Sequence, residues 1–165
     1  MSDAAVIEAE VAPLVIEPVD PMHLQALALL AEAGREARSL YPELFAPGSP
    51  APTNGPLGDR EVYLLAWREG VAVGCGALRR LDAHRGELRR LFVTLHARRE
   101  GIGRTLLARL EADALALGYR RLMLETGMRQ KPAMALYRAA GWRRVPAYGN
   151  FALDPASVCF GKTLR

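Results

Sequence analysis

Residues 87–118 read ELRRLFVTLHARREGIGRTLLARLEADALALG, and this stretch decides the fold. Its first part, which ends at Val93, has the apolar content of a strand. Its last part has apolar residues at every third or fourth position, as one face of an α-helix does. The residues of that face are Ile102, Leu106, Leu107, Leu110, Ala114 and Leu117. The stretch therefore predicts a strand, a loop and a helix in succession.

Two glycines, Gly101 and Gly103, lie where this helix is expected to begin. A helix start has backbone N–H groups without partners and a partial positive charge, and glycine lets a ligand come close to the backbone. Arg98, Arg99 and Arg104 add charges that suit phosphate oxygens. The loop thus predicts a diphosphate held mainly by main chain, although an ordinary turn with solvated arginines is the alternative.

The composition is that of an ordinary globular domain. The chain has 165 residues, which suits one domain, and half of them are hydrophobic. The net charge of +4 weakly favours an anionic partner. A nucleic-acid partner is not expected, because the sequence has neither a lysine-rich tail nor a long basic block.

Three absences in the sequence bear on its location and chemistry. The two cysteines, Cys75 and Cys159, are far apart, and no histidines have metal-ligand spacing, so we expect neither a disulfide framework nor a metal site. The N-terminus lacks the pattern of a signal peptide, and no apolar run reaches the ~18 residues that cross a membrane. We therefore expect a cytoplasmic protein with no membrane partner. Homodimer formation is left open.

The remainder of the chain alternates between strand and helix patterns. Residues 1–10 have no pattern and are expected to be a loose end, and the proline- and glycine-rich residues 42–58 form a loop or a broken helix. We expect strands at 11–19, 61–68, 71–81, 87–93, 119–126, 142–145 and 158–164, and helices at 20–40, 102–117 and 130–140. The strands at 61–93 should form an antiparallel meander, and the strand after the helix at 102–117 should lie parallel to its predecessor.

Three phosphate-binding motifs compete in this sequence. Gly161–Thr163 looks like the end of a P-loop, but Ala156 replaces the earlier glycine and no helix can follow. A dinucleotide fingerprint fits Gly101 and Gly103, but Leu106 replaces its third glycine and the preceding loop is too long.

The third option rests on two motifs together. Arg98-x-x-Gly101-x-Gly103 follows a strand that ends Leu91-Phe92-Val93, and Tyr137-Arg138-Ala139-Ala140-Gly141-Trp142 begins 34 residues beyond Gly103. In this order and spacing they resemble the acetyl-CoA loop and the Tyr-x-x-x-Gly-aromatic segment of the GNAT superfamily of N-acetyltransferases. The resemblance covers about residues 60–165 and looks like a little-characterised bacterial branch.

The resemblance implies one α/β (α+β) domain over residues 1–165, with a central mixed, mostly antiparallel sheet flanked by helices. It implies transfer of the acetyl group of acetyl-CoA to a primary amine of a small molecule or peptide, by direct attack in a ternary complex without a metal. A CoA-binding sensor without transfer activity and a NAD-linked oxidoreductase are the alternatives.

The resemblance also assigns residues to the cofactor. The main chain of 91–93 would pair with the pantetheine arm, and the glycine-rich loop would hold the pyrophosphate. The expected cofactor-binding residues are Leu91, Phe92, Val93, Arg98, Arg99, Glu100, Gly101, Ile102, Gly103, Arg104, Thr105, Gln130, Ala133 and Tyr137.

The transfer needs a base for the amine proton and an acid for the leaving thiolate. The resemblance implies that Tyr137 is the acid. Glu87 is the preferred candidate base, because it opens the cofactor strand, and Glu125 is its rival. Arg89 and Arg90 face either an acidic group of the substrate or solvent.

Overall fold

Residues 12–165 are described by a computed structural model of the chain. The loose end predicted for residues 1–10 lies outside these described residues. The strands are β1 (Val15–Pro18), β2 (Val62–Arg68), β3 (Val71–Arg80), β4 (Arg85–Val93), β5 (Arg121–Gly127), β6 (Arg143–Val145) and β7 (Ser157–Thr163), and the α-helices are α1 (Leu24–Leu40), α2 (Ile102–Ala116) and α3 (Lys131–Ala139). Short 3₁₀ turns occupy Pro42–Leu44, Leu95–Ala97 and Gly149–Leu153.

All the strands belong to one sheet with the order β1-β2-β3-β4-β5-β7-β6. Neighbouring strands run antiparallel except β4 and β5, which run parallel and are joined through α2. The expected mixed, mostly antiparallel sheet is therefore confirmed, as is the parallel pair on either side of the central helix. The turn between β2 and β3 is tight, with positive φ at both Glu69 and Gly70, as in a type I′ hairpin turn.

The helices cover the two faces of the sheet. On one face, the apolar stripe of α2 predicted from the sequence packs with Leu64, Leu78 and Phe160 of the strands, and α3 adds Tyr137. The other face is covered by α1, which packs Ala26 on Tyr63 and Cys75. Leu117 departs from the predicted stripe: it lies one residue beyond the end of α2 and is 37% exposed.

α1 begins later than the sequence pattern predicted. Asp20 and Pro21 were expected to start this helix, but the Asp20 carboxylate accepts a hydrogen bond from the Met22 N–H within a preceding turn. His23 is the N-cap, because its Nδ1 accepts from the Gln25 N–H at 3.0 Å. The helix is thus capped by an imidazole nitrogen and not by the carboxylate that the sequence predicted.

β4 and β5 part from each other halfway along β4. They pair from Arg85 with Arg121 to Leu88 with Leu124. Beyond that point β4 stays with β3, pairing Val93 with Gly74, while β5 stays with β7 to Gly127. A gap therefore opens in the sheet between the second half of β4 and the end of β5.

A β-bulge in β4 lies beside this gap. Cys75 pairs with Phe92 and Ala77 with Arg89, so three steps along β4 oppose two along β3. Arg90 takes up the extra residue with a φ of 60°. The bulge turns over the alternation of side chains, which is why residues 87–93 show polar residues on both faces.

Candidate active site

A cavity of about 360 Å³ lies at the gap between β4 and β5. We call it the cleft cavity. Its walls come from the second half of β4, the end of β5, α3, the middle of α1 and the loop after α1. They include Arg89, Leu91, Phe92, Glu125, Thr126, Gln130, Ala133, Tyr137, Glu36, Phe45 and Pro52. The fold thus brings together residues that the two sequence motifs contributed separately, and it adds the loop at 42–58 as part of the wall.

Tyr137 reaches the cleft cavity from α3. Its ring packs on Trp142 and Phe160, with centroids 6.1 and 5.8 Å away, and the residue is only 6% exposed. Its hydroxyl makes no hydrogen bond to a residue within 12–165. Burial, with a smaller effect from Glu125, raises the pKa of Tyr137 to about 12. The phenol is therefore protonated at neutral pH and has its proton available to a group in the cavity.

Glu87 is buried on the face of the sheet that α1 covers only in part, and it is 8% exposed. The Tyr148 hydroxyl donates to Glu87 Oε2 at 2.6 Å, and Arg89 Nη1 lies 3.3 Å from Oε1. Burial and then the bond to Glu87 raise the pKa of Tyr148. Tyr148 therefore stays protonated and orients the Glu87 carboxylate.

Glu125 follows the last β4–β5 pair and lines the cleft cavity itself. The Ser157 hydroxyl donates to Glu125 Oε1 at 2.9 Å. Burial raises the pKa of Glu125, and the bond from Ser157 opposes that effect. A separate hydroxyl donor thus holds each of the two carboxylates, Tyr148 for Glu87 and Ser157 for Glu125.

The main chain at the end of β4 is turned towards the gap. The Thr94 N–H donates to the Val73 carbonyl on β3. Because alternate residues of a strand point their backbone groups to opposite edges, Leu91 and Val93 point theirs away from β3. The Val93 carbonyl already accepts from Arg98 Nε at 2.9 Å. The Leu91 groups and the Val93 N–H offer an extended ligand the pairing that β5 gives to the first half of β4.

The glycine-rich loop leads to the start of α2. Gly101 is the N-cap with a φ of 80°, and no side chain caps this helix, so its first backbone N–H groups point outward. A Cβ at Gly101 would meet nothing within 4 Å, so the approach to this backbone is open. Gly103 differs: a Cβ there would lie 3.3 Å from Leu136 Cδ2, so its lack of a side chain serves helix packing.

The arginines of this loop divide into two kinds. Arg99 and Arg104 are exposed and make no ion pair within residues 12–165, so their charges are available to a ligand. Arg98 is already engaged: its Nε donates to the Val93 carbonyl at 2.9 Å and its Nη2 to Glu36 Oε2 at 2.5 Å. The expectation that Arg98 directs its charge at phosphate thus differs from its observed partners.

α1 holds the loop between β4 and α2 through two carboxylates one turn apart. Glu36 binds Arg98, and Glu32 accepts from the buried Thr94 hydroxyl at 2.6 Å. Neither Glu32 nor Glu36 was predicted from the sequence, and nor was Tyr148. The four-residue spacing of Glu32 and Glu36 on the polar face of α1 was the available signal for the pair, whereas Tyr148 had only its place in a loop.

The other expected cofactor residues surround the same region. Gln130 Oε1 accepts from the Thr126 hydroxyl and the Gly127 N–H, so the side chain fixes the turn after β5 while lining the cavity. Ala133 of α3 lines the same cavity and packs against the core. The Thr105 hydroxyl donates to the Gly101 carbonyl.

Two residues of the loop have side chains directed elsewhere. Ile102 is buried in the core and has only its backbone free for a ligand. Glu100 pairs with Arg68.

Among the described residues there is no group of three or more potential ligand side chains that could hold a metal ion. None of the helices in residues 12–165 has the length and apolar content needed to cross a membrane.

The model of the acetyltransferase (GNAT) family matches residues 30–142. A protein of Azospirillum brasilense named "IAA acetyltransferase" is 42% identical over 103 residues, which are 62% of this chain and 67% of that protein. The structure of a Klebsiella pneumoniae protein assigned as an acyl-CoA N-acyltransferase is 29% identical with a TM-score of 0.78, and the match covers 92% of this chain and 98% of that one. A GNAT family acetyltransferase of Elizabethkingia anophelis with acetyl-CoA bound shares the fold at 20% identity, with a TM-score of 0.63 and coverage of 92% and 98%.

Proposed function

The chain belongs to the acetyltransferase (GNAT) family and is an acetyl-CoA-dependent acyltransferase, and from this premise we propose how its own residues bind the cofactor and act on an amine. The acceptor is a primary amine of a small molecule or peptide, and the acetyl group passes to it directly within a ternary complex. The proposal places the thioester in the cleft cavity, with Glu87 just outside this cavity, beside Arg89 of its wall. A cytoplasmic location and a possible homodimer stay predictions.

The fit of the cofactor rests on the uncapped start of α2 and the open edge of β4. Backbone N–H groups of 99–104, with the charges of Arg99 and Arg104, would hold the pyrophosphate. The outward backbone groups of Leu91 and the Val93 N–H would pair with the pantetheine amides. Arg98 supports this arrangement indirectly, because it ties the end of β4 to Glu36 of α1.

In the proposed reaction the amine nitrogen bonds to the acetyl carbon and the carbon–sulfur bond breaks. Glu87 takes the proton that the amine loses, with its carboxylate oriented by Tyr148. The sulfur leaves with the electron pair of the broken bond and takes the Tyr137 proton. Backbone N–H near Val93 polarises the acetyl carbonyl.

One observation carries this proposal: the parting of β4 and β5 opens a cavity in which Tyr137 and Glu125 face the free edge of β4. An added strand-like ligand there would bring its far end between the two strands. The first test is thermal unfolding with acetyl-CoA, CoA and NAD, followed by thiol release with a panel of amines. Stabilisation by acetyl-CoA or CoA but not by NAD, together with amine-dependent thiol release, supports the proposal. Stabilisation only by NAD contradicts it.

Glu87 and Glu125 are separated by the pH dependence of the rate. If Glu87 is the base, Glu87→Gln removes the acidic limb of the pH–rate profile and lowers kcat/KM about a hundredfold. Glu125→Gln should keep the limb, because Ser157 and not the amine is its partner. Loss of the limb in Glu125→Gln alone would transfer the role to Glu125.

A further inference from the structure

A second cavity, of about 440 Å³, meets the cleft cavity at Arg89 and Arg90, which line both. We call it the arginine cavity. Its charged residues are Arg79, Arg80, Arg89, Arg90, Glu61 and Glu87. Guanidinium groups outnumber carboxylates there, and one of the carboxylates is the base proposed above. A molecule in the arginine cavity would therefore contact the base at one end and the cleft cavity at the other.

Most of the charged groups in the arginine cavity already have good partners. Arg79 binds Glu61 at 2.9 Å and the carbonyls of Pro56 and Gly55 at 2.8 and 2.7 Å. Arg90 binds the Asn54 side chain and the Thr53 carbonyl, both at 3.2 Å. These two guanidinium groups hold the loop after α1 against β3 and β4.

Arg89 differs from Arg79 and Arg90 in having few partners. Its one polar contact within residues 12–165 is to Glu87, at 3.3 Å, and its side chain is 49% exposed. An exposed ion pair of this length contributes little to stability. Burial, and then repulsion from the charge of Arg89, lowers the pKa of the neighbouring Arg90. An anion at Arg89 would relieve this repulsion.

We propose that Arg89 is the anion-binding group of the acceptor site, so that the preferred acceptor is a primary amine with a carboxylate on the adjoining carbon, as in a free α-amino acid. This inference rests on the proposed function. Glu87 and Arg89 present a negative and a positive group side by side, and an α-amino acid presents the complementary pair one carbon apart. The amine would meet Glu87 and the carboxylate would meet Arg89. The product is the N-acetyl amino acid, with CoA released as its thiol.

The test compares common L-amino acids with their carboxamides, with simple primary amines as a third set. The amine of a carboxamide loses its proton more readily, so intrinsic reactivity favours the carboxamide at neutral pH. A preference for the acid therefore requires a group that binds the carboxylate. We expect kcat/KM for at least one amino acid to exceed that for its carboxamide by about tenfold or more, as a charge-assisted bond provides.

Arg89→Gln should lower kcat/KM for the amino acid about tenfold more than for its carboxamide, mainly through the KM of the amino acid, so that the preference for the acid is lost. Arg89→Lys should restore part of the preference, because lysine keeps the charge but loses the bidentate geometry. The matched control is Arg143→Gln, since Arg143 is an exposed arginine on β6 that lines neither cavity. It should leave the preference intact.

The outcomes distinguish the inference from the function beneath it. Equal rates with acids and carboxamides, or an unchanged preference in Arg89→Gln, overturn the inference and leave amine acetylation standing. Absence of thiol release with all three sets, from protein that binds acetyl-CoA, overturns both.

Discussion

Tyr137 contributes a hydroxyl that is held by packing alone within the described residues. The ring of Tyr137 packs on Trp142 and Phe160, so removal of the oxygen should leave the ring in place. We predict that Tyr137→Phe lowers kcat about tenfold and leaves the KM for acetyl-CoA within about twofold. This loss of rate is smaller than removal of a general acid usually causes, because a thiol has a pKa of only about 8.5 and its thiolate is a good leaving group without protonation.

Steady-state kinetics with saturating amine check this prediction, and Tyr119→Phe is the matched control. Tyr119 is a buried tyrosine whose hydroxyl donates to the Arg60 carbonyl and which lines neither cavity. Its loss should reduce stability but not kcat. Equal values of kcat for wild type and Tyr137→Phe would assign protonation of the sulfur to another group.

At the scale of single residues, the sequence predicts a functional side chain where a motif contains it, but it does not predict which side chains the fold brings next to it. Tyr137 follows from a motif, because its position depends on local helix spacing. Tyr148 and Arg89 do not, because their relation to Glu87 depends on how a distant loop returns to the sheet and on a bulge one residue long. The sequence of residues 87–93 does not predict this bulge. The bulge reverses the inward–outward alternation of side chains, and that alternation is the pattern from which the faces of a strand are predicted.

Among the elements, α1 is joined to the turn after β5 by a close contact between Tyr41 and Gly127. The Tyr41 hydroxyl accepts from the Arg129 N–H at 2.7 Å, and Arg129 in turn donates to the Leu40 carbonyl. A Cβ built on Gly127 would lie 2.1 Å from the Tyr41 hydroxyl oxygen and 2.6 Å from Cζ. The turn that carries Gln130 therefore needs glycine at 127 for a packing reason.

We predict that Gly127→Ala lowers the free energy of unfolding by about 1–3 kcal/mol, because the buried Tyr41 ring must move and its hydrogen bond is lost. Urea unfolding measures the change. Gly55→Ala is the control, because a Cβ at Gly55 meets nothing within 4 Å and the cost should stay within about 0.5 kcal/mol. Equal stability of the two variants would show that Tyr41 is not held there.

The elements themselves were predictable where one face is buried. The stripe of α2 follows from burial of one helix face and is found as expected except at Leu117, and the buried strand predicted at 61–68 is found as β2. The ends were less predictable: the start of α1 depends on which of two polar side chains caps it, Asp20 or His23. The parting of β4 and β5 has no local signal at all, because it results from the pairing of each strand with its other neighbour.

At the scale of the whole molecule, the buried thiol of Cys75 and the buried phenol of Tyr137 make the stability decrease as the pH becomes alkaline. Burial raises the pKa of Cys75 from 9.0 to about 12, and the thiol donates to the Arg90 carbonyl. Since the unfolded chain releases this proton first, its contribution is complete below pH 9 and is lost as the pH rises towards 12. Tyr137 acts in the same direction over a higher range, from pH 10 to about 12.

We predict that stability falls between pH 9 and 11 and that Cys75→Ala reduces the slope by on the order of 1 kcal/mol per pH unit. Urea unfolding under reducing conditions at several pH values checks the slope, which is independent of any constant loss from the smaller side chain. Parallel slopes for wild type and variant would mean that the folded protein lets the Cys75 thiol ionise normally.

The central claim is that the gap between β4 and β5 and the uncapped start of α2 together hold acetyl-CoA with its thioester at Tyr137. A crystal structure with bound CoA tests it most directly. We predict pyrophosphate oxygens on the backbone N–H groups of 99–104, pantetheine amides on Leu91 and the Val93 N–H, and the sulfur next to the Tyr137 hydroxyl. Phosphates bound elsewhere, or a pantetheine arm outside the cleft cavity, would contradict the account.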